Sequence, residues 1–514
     1  MRRQVLLDRH PGTERFGTSL YKLYQSIDQI LAARYQVHHL DAMYRFFSKD
    51  AKTDYLSQFM SCDVAVLGNV SILVKLRSLG WQGKVMLTAL GSLPRGGAAI
   101  RQVISVLQPQ DVVLLSSTAD MDIWNWFFRL APRAEMIPFG VDTISFHPVP
   151  SVERDTLRAQ LGYSDKDKLI LYSGRITVEK NVHSILPILA ELIHEHPNYI
   201  LLIAGKFEQV PFRMFDIDVN IEERVNSLAE ELGIPKRNLR FFSYLNQDDL
   251  VRLYHVADVL MNLSLHHDEN FGYAQVEAMA CGTPVLANAW GGMKDTVKDN
   301  DSGYLIPTWV TASGIRFDTH LAKERLVEML EDDAQRTTFG HNAIARVREH
   351  FSMETFAKQL INVIEDDQFG PKEFKFSPQG LKYAWRFSQK EENDTVVKLS
   401  ALQPRYSSYH DEDYVHVIRH YTSRSTPKIR NEGLCYKPSY WHHGERTPEG
   451  GFKIINDDPL WPHDSTVHGI EMEILEFVFS QGSAPVSILQ ERWGEDCIEN
   501  IERLVHKGYL NCSG

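Results

Sequence analysis

Through its first 365 residues this chain alternates short apolar runs with amphipathic ones, in two successive rounds. In the first round Gln4–Asp8, Val37–Asp41, Asp63–Gly68, Val85–Leu90, Val112–Ser116 and Glu135–Pro138 have the length and character of strands. Between several of them, Leu20–Arg34, Ser71–Gly80, Gly97–Leu107 and Met121–Leu130 read as helices. Leu20, Leu23, Ile27, Ile30 and Leu31, for example, fall at helical spacing. The second round offers Leu169–Ser173, Tyr199–Ala204, Leu239–Phe242, Val259–Leu263 and Pro284–Asn288 as strands, each with a helix before or after it. Parallel strands need long crossovers, and helices supply them, so the alternation predicts an α/β chain with doubly wound parallel sheets. The join between the two rounds is expected near Pro148–Ser151, where two prolines bracket Val149. Long helices at Ala322–Glu331, Ala334–His350 and Met353–Glu365 close the second round.

Beyond Asp366 the character changes. Residues 366–464 are rich in Tyr, His, Trp, Pro, Ser and charge, with few periodic apolar runs, and read as an irregular extension. Periodicity returns in 465–514. Ile470, Ile474, Leu475 and Val478 mark one helix, Val486–Trp493 a second and Asp496–Lys507 a third, before Tyr509-Leu510. Three helices and a terminal strand resemble a winged-helix module, a pattern that any small three-helix bundle also gives. The expected domains are therefore 1–148, 149–365, 366–464 and 465–514.

Charge narrows the function classes. The net charge is −12, yet residues 1–150 carry 16 Lys+Arg against 12 Asp+Glu, a net of +4, which leaves −16 for the rest. The positive N-terminal half suits an anionic acceptor or a membrane surface touched peripherally, or is chance unevenness. Overall acidity argues against bulk nucleic-acid binding. The five cysteines, Cys62, Cys281, Cys435, Cys497 and Cys512, show neither paired nor metal-ligand spacing, which fits a reducing cytoplasm. The apolar run after Met1-Arg2-Arg3 is too short for a signal peptide. No window approaches the roughly 20 apolar residues of a membrane span.

The chemistry concentrates in Asp268–Val285. Glu269 and Glu277 stand eight positions apart, with Asn270-Phe271-Gly272 between them and an apolar helical run that stops at Gly282-Thr283-Pro284. A helix opening at Gly272 aims unpaired N–H groups at whatever lies in front of it, which favours phosphate. Glu277, just over one turn along, can accept hydrogen bonds from vicinal hydroxyls such as those of a ribose. A second cluster follows the strand at Leu169–Ser173: Gly174-Arg175, then Lys180-Asn181. Two cations at a strand's carboxyl end suit a diphosphate and the charge that grows as it leaves.

Glu-x7-Glu followed by Ala-Met-Ala-Cys-Gly-Thr-Pro-Val, together with Gly-Arg-x4-Lys, resembles the nucleotide-sugar site of GT4-like retaining glycosyltransferases of the GT-B fold. The resemblance covers roughly residues 1–365 and is strongest over 169–307. It implies two Rossmann-like domains facing a cleft, an acceptor domain at the N-terminus and a donor domain after it. Its implied reaction moves a sugar from a nucleotide-diphosphate sugar to a hydroxyl acceptor, with neither metal nor other cofactor. The acceptor is left open among a glycan, a small metabolite, a lipid-linked glycan and a protein. Arg175, Lys180 and Glu269 take the catalytic roles, with backbone N–H groups around Asn270–Gly272. Glu277 holds the ribose. Gly174, Gly205, Tyr244, Leu245 and Phe271 complete the donor side. Gly17 and Thr18, opening the first helix, stand for the loop that approaches the diphosphate, with Pro11-Gly12 as a rival. Asn181 departs from the glycine that relatives favour after the lysine. Leu87–Ser92 lacks the histidine that many relatives carry there, so no catalytic histidine is transferred. His266-His267-Asp268-Glu269 is read as no metal site, because adjacent loop histidines rarely reach one ion. An epimerase or a phosphorylase on the same scaffold is the rival chemistry, and protein recognition is the expected role of the acidic tail module.

Overall fold

Each round of alternation closes into its own parallel sheet. The computed structural model describes residues 3–8, 19–41, 48–88, 93, 97–208, 220–243, 245–266, 269–311, 314–383, 417–423, 435–456, 465–495 and 497–513. Contacts divide the chain into two units. The first gathers Met1–Ser145, Asn270–Val276 and Ala345–Ala401, and the second holds Phe146–Glu269, Glu277–Ile344 and Leu402–Gly514.

The first unit is built on strands β1 (Gln4–Asp8), β2 (Gln36–Leu40), β3 (Val64–Leu67), β4 (Lys84–Thr88), β5 (Val112–Leu115), β6 (Phe128–Leu130) and β7 (Ala134–Met136). All but β6 form a parallel sheet in the order β2-β1-β3-β4-β5-β7. Val5, Leu6 and Leu7, and Val64 through Leu67, are all buried, which is why these strands read as continuous apolar runs. Leu23, Ile27 and Leu31 cover the sheet from the helix Ser19–Arg34. Phe356, Leu360, Val363 and Ile364, on the helix Met353–Glu365, enter the same core. Arg34 pairs with Glu365 at 2.8 Å, fixing that distant helix against the N-terminal one.

The expected helix Met121–Leu130 stops at Phe127. Phe128 turns into an extended conformation, and β6 pairs antiparallel with a two-residue strand, β16 (Lys375–Phe376). The Phe128 and Phe376 rings stack at 5.3 Å. A partner nearly 250 residues downstream is invisible to local periodicity.

The second unit repeats the plan with β8 (Lys168–Ser173), β9 (Tyr199–Ala204), β10 (Leu239–Phe242), β11 (Val259–Asn262), β12 (Val285–Asn288) and β13 (Gly303–Ile306), ordered β10-β9-β8-β11-β12-β13 and parallel throughout. An antiparallel hairpin, β14 (Thr308–Thr311) with β15 (Gly314–Phe317), follows.

The tail forms two small sheets. Strands β17 (Cys435–Pro438), β21 (Ala484–Pro485) and β22 (Leu510–Ser513) make one; β18 (His442–Arg446), β19 (Phe452–Asn456) and β20 (Ser465–Val467) make the other. The three expected helices occur at Gly469–Gln481, Val486–Trp493 and Cys497–His506. Tyr436, Phe452 and Ile454 share one core with Ile474, Leu489, Ile501 and Leu504, so strands from 435–456 complete the helical module. That module also packs on the second parallel sheet, within the same unit. Trp441 joins the core of β8, β9 and β11, edge-on to His183 at 5.4 Å and under Arg224 at 5.6 Å. The Trp309 indole N–H donates to the His506 carbonyl at 2.7 Å. Among the described residues no helix is long and apolar enough to cross a membrane.

Candidate active site

In the second sheet the strand order reverses between β8 and β11. Ligands of parallel α/β sheets bind outside the carboxyl ends of strands at such a switch point. The candidate cations leave β8 there, and Glu269 lies on the segment that leaves β11.

After Ser173 the chain bends at Gly174, whose φ of +146° lies in the region that favours glycine. The Tyr172 hydroxyl donates to the Arg175 carbonyl at 2.7 Å and holds the bend. Gly205, at the end of β9, has a local reason to be glycine: a Cβ there would lie 1.8 Å from the Gly174 carbonyl oxygen. Arg175 is about two-fifths exposed and sits 3.5 Å from Glu208. A short turn at Val178–Lys180 ends at Asn181, with φ of +56°. Asparagine tolerates this left-handed conformation better than other side-chain-bearing residues. That accounts for its standing where the resemblance favours glycine. The Asn181 amide also donates to the Leu263 carbonyl at 3.0 Å, tying the β8 turn to the exit of β11.

That tie brings Lys180 against Glu269. The two form a charge-assisted hydrogen bond, with side-chain exposures of 17% and 9%. Two of the sequence candidates thus meet directly. Beside them His266 lies 3.6 Å from Glu179, both buried, and burial pushes the Glu179 carboxyl above its ordinary value. Among the described residues no group of three His, Cys, Asp or Glu side chains is arranged to hold a metal ion.

Glu277, on the helix Tyr273–Ala280, is 7% exposed. Its carboxylate accepts from the Tyr254 hydroxyl at 3.0 Å, and that hydroxyl lies 3.0 Å from Ser173 Oγ. Burial, then the Glu277 charge, drives the Tyr254 phenol far above its usual range, so it remains a donor. Tyr254 therefore links the carboxylate to the residue just before Gly174-Arg175. Sequence reasoning missed it, since an aromatic on an amphipathic helix looks like core.

Asn270, Phe271 and Gly272 pack in the first unit. The Ser116 hydroxyl donates to the Asn270 carbonyl at 3.0 Å. Phe271 is buried, its ring 5.3 Å from Phe139 and 5.8 Å from Phe351. Gly272 has φ of +87° and immediately precedes the helix Tyr273–Ala280. Leu245 is half-buried after β10. Tyr244, Gly17, Thr18, His267 and Asp268 lie outside the described residues.

The first sheet has its own switch point, between β1 and β3. Asp8 ends β1 there, 3% exposed. Burial pushes its carboxyl up to about 6, although the backbone N–H groups of Gly68 and Asn69 bond to it. Sequence reading took Asp8 only as a strand end.

Comparison with known proteins agrees with this architecture. Residues 153–346 match the family model of glycosyl transferases group 1. D-inositol 3-phosphate glycosyltransferase of Corynebacterium jeikeium is 30% identical over 267 residues, 51% of this chain and 58% of that protein. A GDP-mannose-dependent monoacylated alpha-(1-6)-phosphatidylinositol monomannoside mannosyltransferase of Corynebacterium glutamicum is 25% identical over 262 residues, 50% of this chain and 62% of that one. The matched part spans about three-fifths of the length of these relatives. Anabaena Alr3699/HepE, solved in complex with UDP, superposes with a TM-score of 0.56 at 16% identity, over 70% of this chain and 99% of that one. Residues 153–346, with β8 through β13 and both site clusters, are a glycosyl transferases group 1 domain in a chain of the GT-B fold class.

Proposed function

We propose that this protein is a retaining glycosyltransferase that moves a sugar from a nucleoside-diphosphate sugar to an acceptor hydroxyl. The observation that carries the reading is the Lys180–Glu269 pair at the sheet's switch point, with Arg175 in the same β8 exit and Glu277 held through Tyr254. Arg175 and Lys180 bind the diphosphate and stabilise the negative charge that develops as it leaves. Glu277 accepts the ribose hydroxyls, its carboxylate oriented by the Tyr254 hydroxyl. Glu269 faces the transferred sugar and offsets the positive charge that develops at its anomeric carbon. Gly174 and Gly205 keep the adjoining backbone narrow.

The unit containing β1 through β7 is the acceptor domain in this reading, and Asp8 lies at its switch point. A cytoplasmic setting accords with five widely spaced cysteines in the sequence. The acidic three-helix tail module is read as a winged-helix-like protein-recognition element.

Two measurements test the proposal. Thermal shifts against UDP- and GDP-sugars identify the donor, because a ligand at 100 times its Kd adds about 2.7 kcal/mol of stability. With that donor, Arg175→Ala and Glu277→Ala are each expected to lower kcat/KM by about a hundredfold or more while the far-UV spectrum stays native. Wild-type turnover in either variant removes the assignment.

A further inference from the structure

The segment carrying Glu269 is braced from behind, and part of the brace comes from the distant tail. After β12 the chain turns through Trp290, Gly291 and Gly292. The Trp290 indole N–H donates to the His266 carbonyl at 2.8 Å, and the Gly292 N–H donates to the Glu269 carbonyl at 2.8 Å. Between those points the Glu269 N–H bonds to the His266 carbonyl at 3.0 Å. The 290–292 turn therefore grips both the His266 and the Glu269 carbonyl.

Residues 417–423 close against this turn. Val417, Ile418, Tyr421 and Thr422 are all buried. The Tyr421 carbonyl accepts the Gly291 N–H at 2.8 Å, and its ring lies 5.6 Å from Trp290. Lys294 Nζ donates to the carbonyls of His420 and Thr422 at 2.8 and 2.9 Å. Three consecutive tail carbonyls are thus each engaged by the turn. Ser423 adds a reciprocal pair with the Thr308 backbone, both bonds at 3.0 Å. Gly291 has no room for a side chain: its Cβ would fall 2.2 Å from the Glu269 carbonyl oxygen and 2.9 Å from the Tyr421 ring. A segment that merely covered apolar surface would not need its register fixed carbonyl by carbonyl.

We propose that Val417–Ser423 is a positioning element of the donor site, holding the 290–294 turn so that Glu269 is presented to the sugar of a nucleotide sugar. The proposal rests on the donor-site reading above. Its signature is selective. The nucleoside diphosphate is gripped by Arg175, Lys180 and Glu277, whereas the sugar depends on Glu269. Disturbing the brace therefore weakens the nucleotide sugar more than the bare nucleotide.

The full chain is titrated with UDP and UDP-glucose, and with GDP and GDP-mannose, as wild type, Tyr421→Ala, Tyr421→Phe, Lys294→Met and Arg175→Ala. Tyr421→Ala is expected to lose about tenfold in affinity for the nucleotide sugar relative to the bare nucleotide, and Tyr421→Phe to restore the ratio. Lys294→Met leaves the tail's side chains intact and is expected to give the same selective loss, so an unfolded Tyr421→Ala does not remove the test. An unchanged ratio in Lys294→Met, or equal loss of both ligands, overturns the positioning role. Arg175→Ala separates the two ideas. Undiminished nucleotide binding in that variant overturns the donor-site reading itself, whereas an unchanged sugar-to-nucleotide ratio beside a defective Arg175→Ala overturns the brace alone.

Discussion

Lys180 and Glu269 are mostly buried, so each depends on the other for compensation of its charge. Breaking such a pair from one side leaves an uncompensated buried charge, whereas removing both is far milder. Lys180→Met is expected to cost about 3 kcal/mol in urea unfolding, and Lys180→Met with Glu269→Gln to recover most of it. Additive costs would mean that the pair is not coupled. Asp8 gives a pH signature. Its folded carboxyl holds its proton up to about pH 6, against an ordinary 3.8, because burial disfavours the anion. The native state then binds more protons than the unfolded chain between those values. The Asp8 contribution is full below 3.8 and is lost as pH rises through about 6, amounting to up to about 3 kcal/mol. Melting across pH 3.5–7.5 is expected to show this downward slope, and Asp8→Asn to flatten it. Among the candidate site residues, Glu269, Glu277, Arg175 and Lys180 were marked in the sequence by charge and spacing. Tyr254 and Asp8 were not, since what sets them apart is burial and partners far along the chain.

At the scale of elements, the exits of β8 and β9 are packed as one piece. Gly205 lies under the Gly174 carbonyl, and Gly174 bends directly into Arg175. Gly205→Ala must displace backbone rather than a flexible side-chain end. It is expected to destabilise by about 2–3 kcal/mol and to weaken nucleotide binding, measured by unfolding and by titration with UDP or GDP. Normal stability would show that the bend can move. Both parallel sheets were legible because fully buried strands are continuous apolar runs and amphipathic helices keep their period. β6 and its partner Lys375–Phe376 were hidden, as were β17 and β22, because short antiparallel pairs joined over long separations leave no local pattern.

Across the whole molecule, the tail is built into the second unit rather than hung from it. Trp441 sits in the core shared by β8, β9 and β11, and Lys437 forms an ion pair with Glu191. Trp441→Ala is expected to cost about 3 kcal/mol in the unfolding of the second unit, followed by nucleotide-dependent thermal shift. An unchanged transition would show the tail to be an independent appendage. The composition of 366–464 could not reveal this, since nothing in the sequence tells which of its three tryptophans, Trp385, Trp441 and Trp461, enters a core.

The first unit takes its last covering helix, Met353–Glu365, and the strand Lys375–Phe376 from beyond the second sheet. During synthesis its hydrophobic face therefore stays open while some two hundred intervening residues leave the ribosome. All strands of the nested sheet are made before that helix, so the sheet begun earliest waits on a segment made after both sheets.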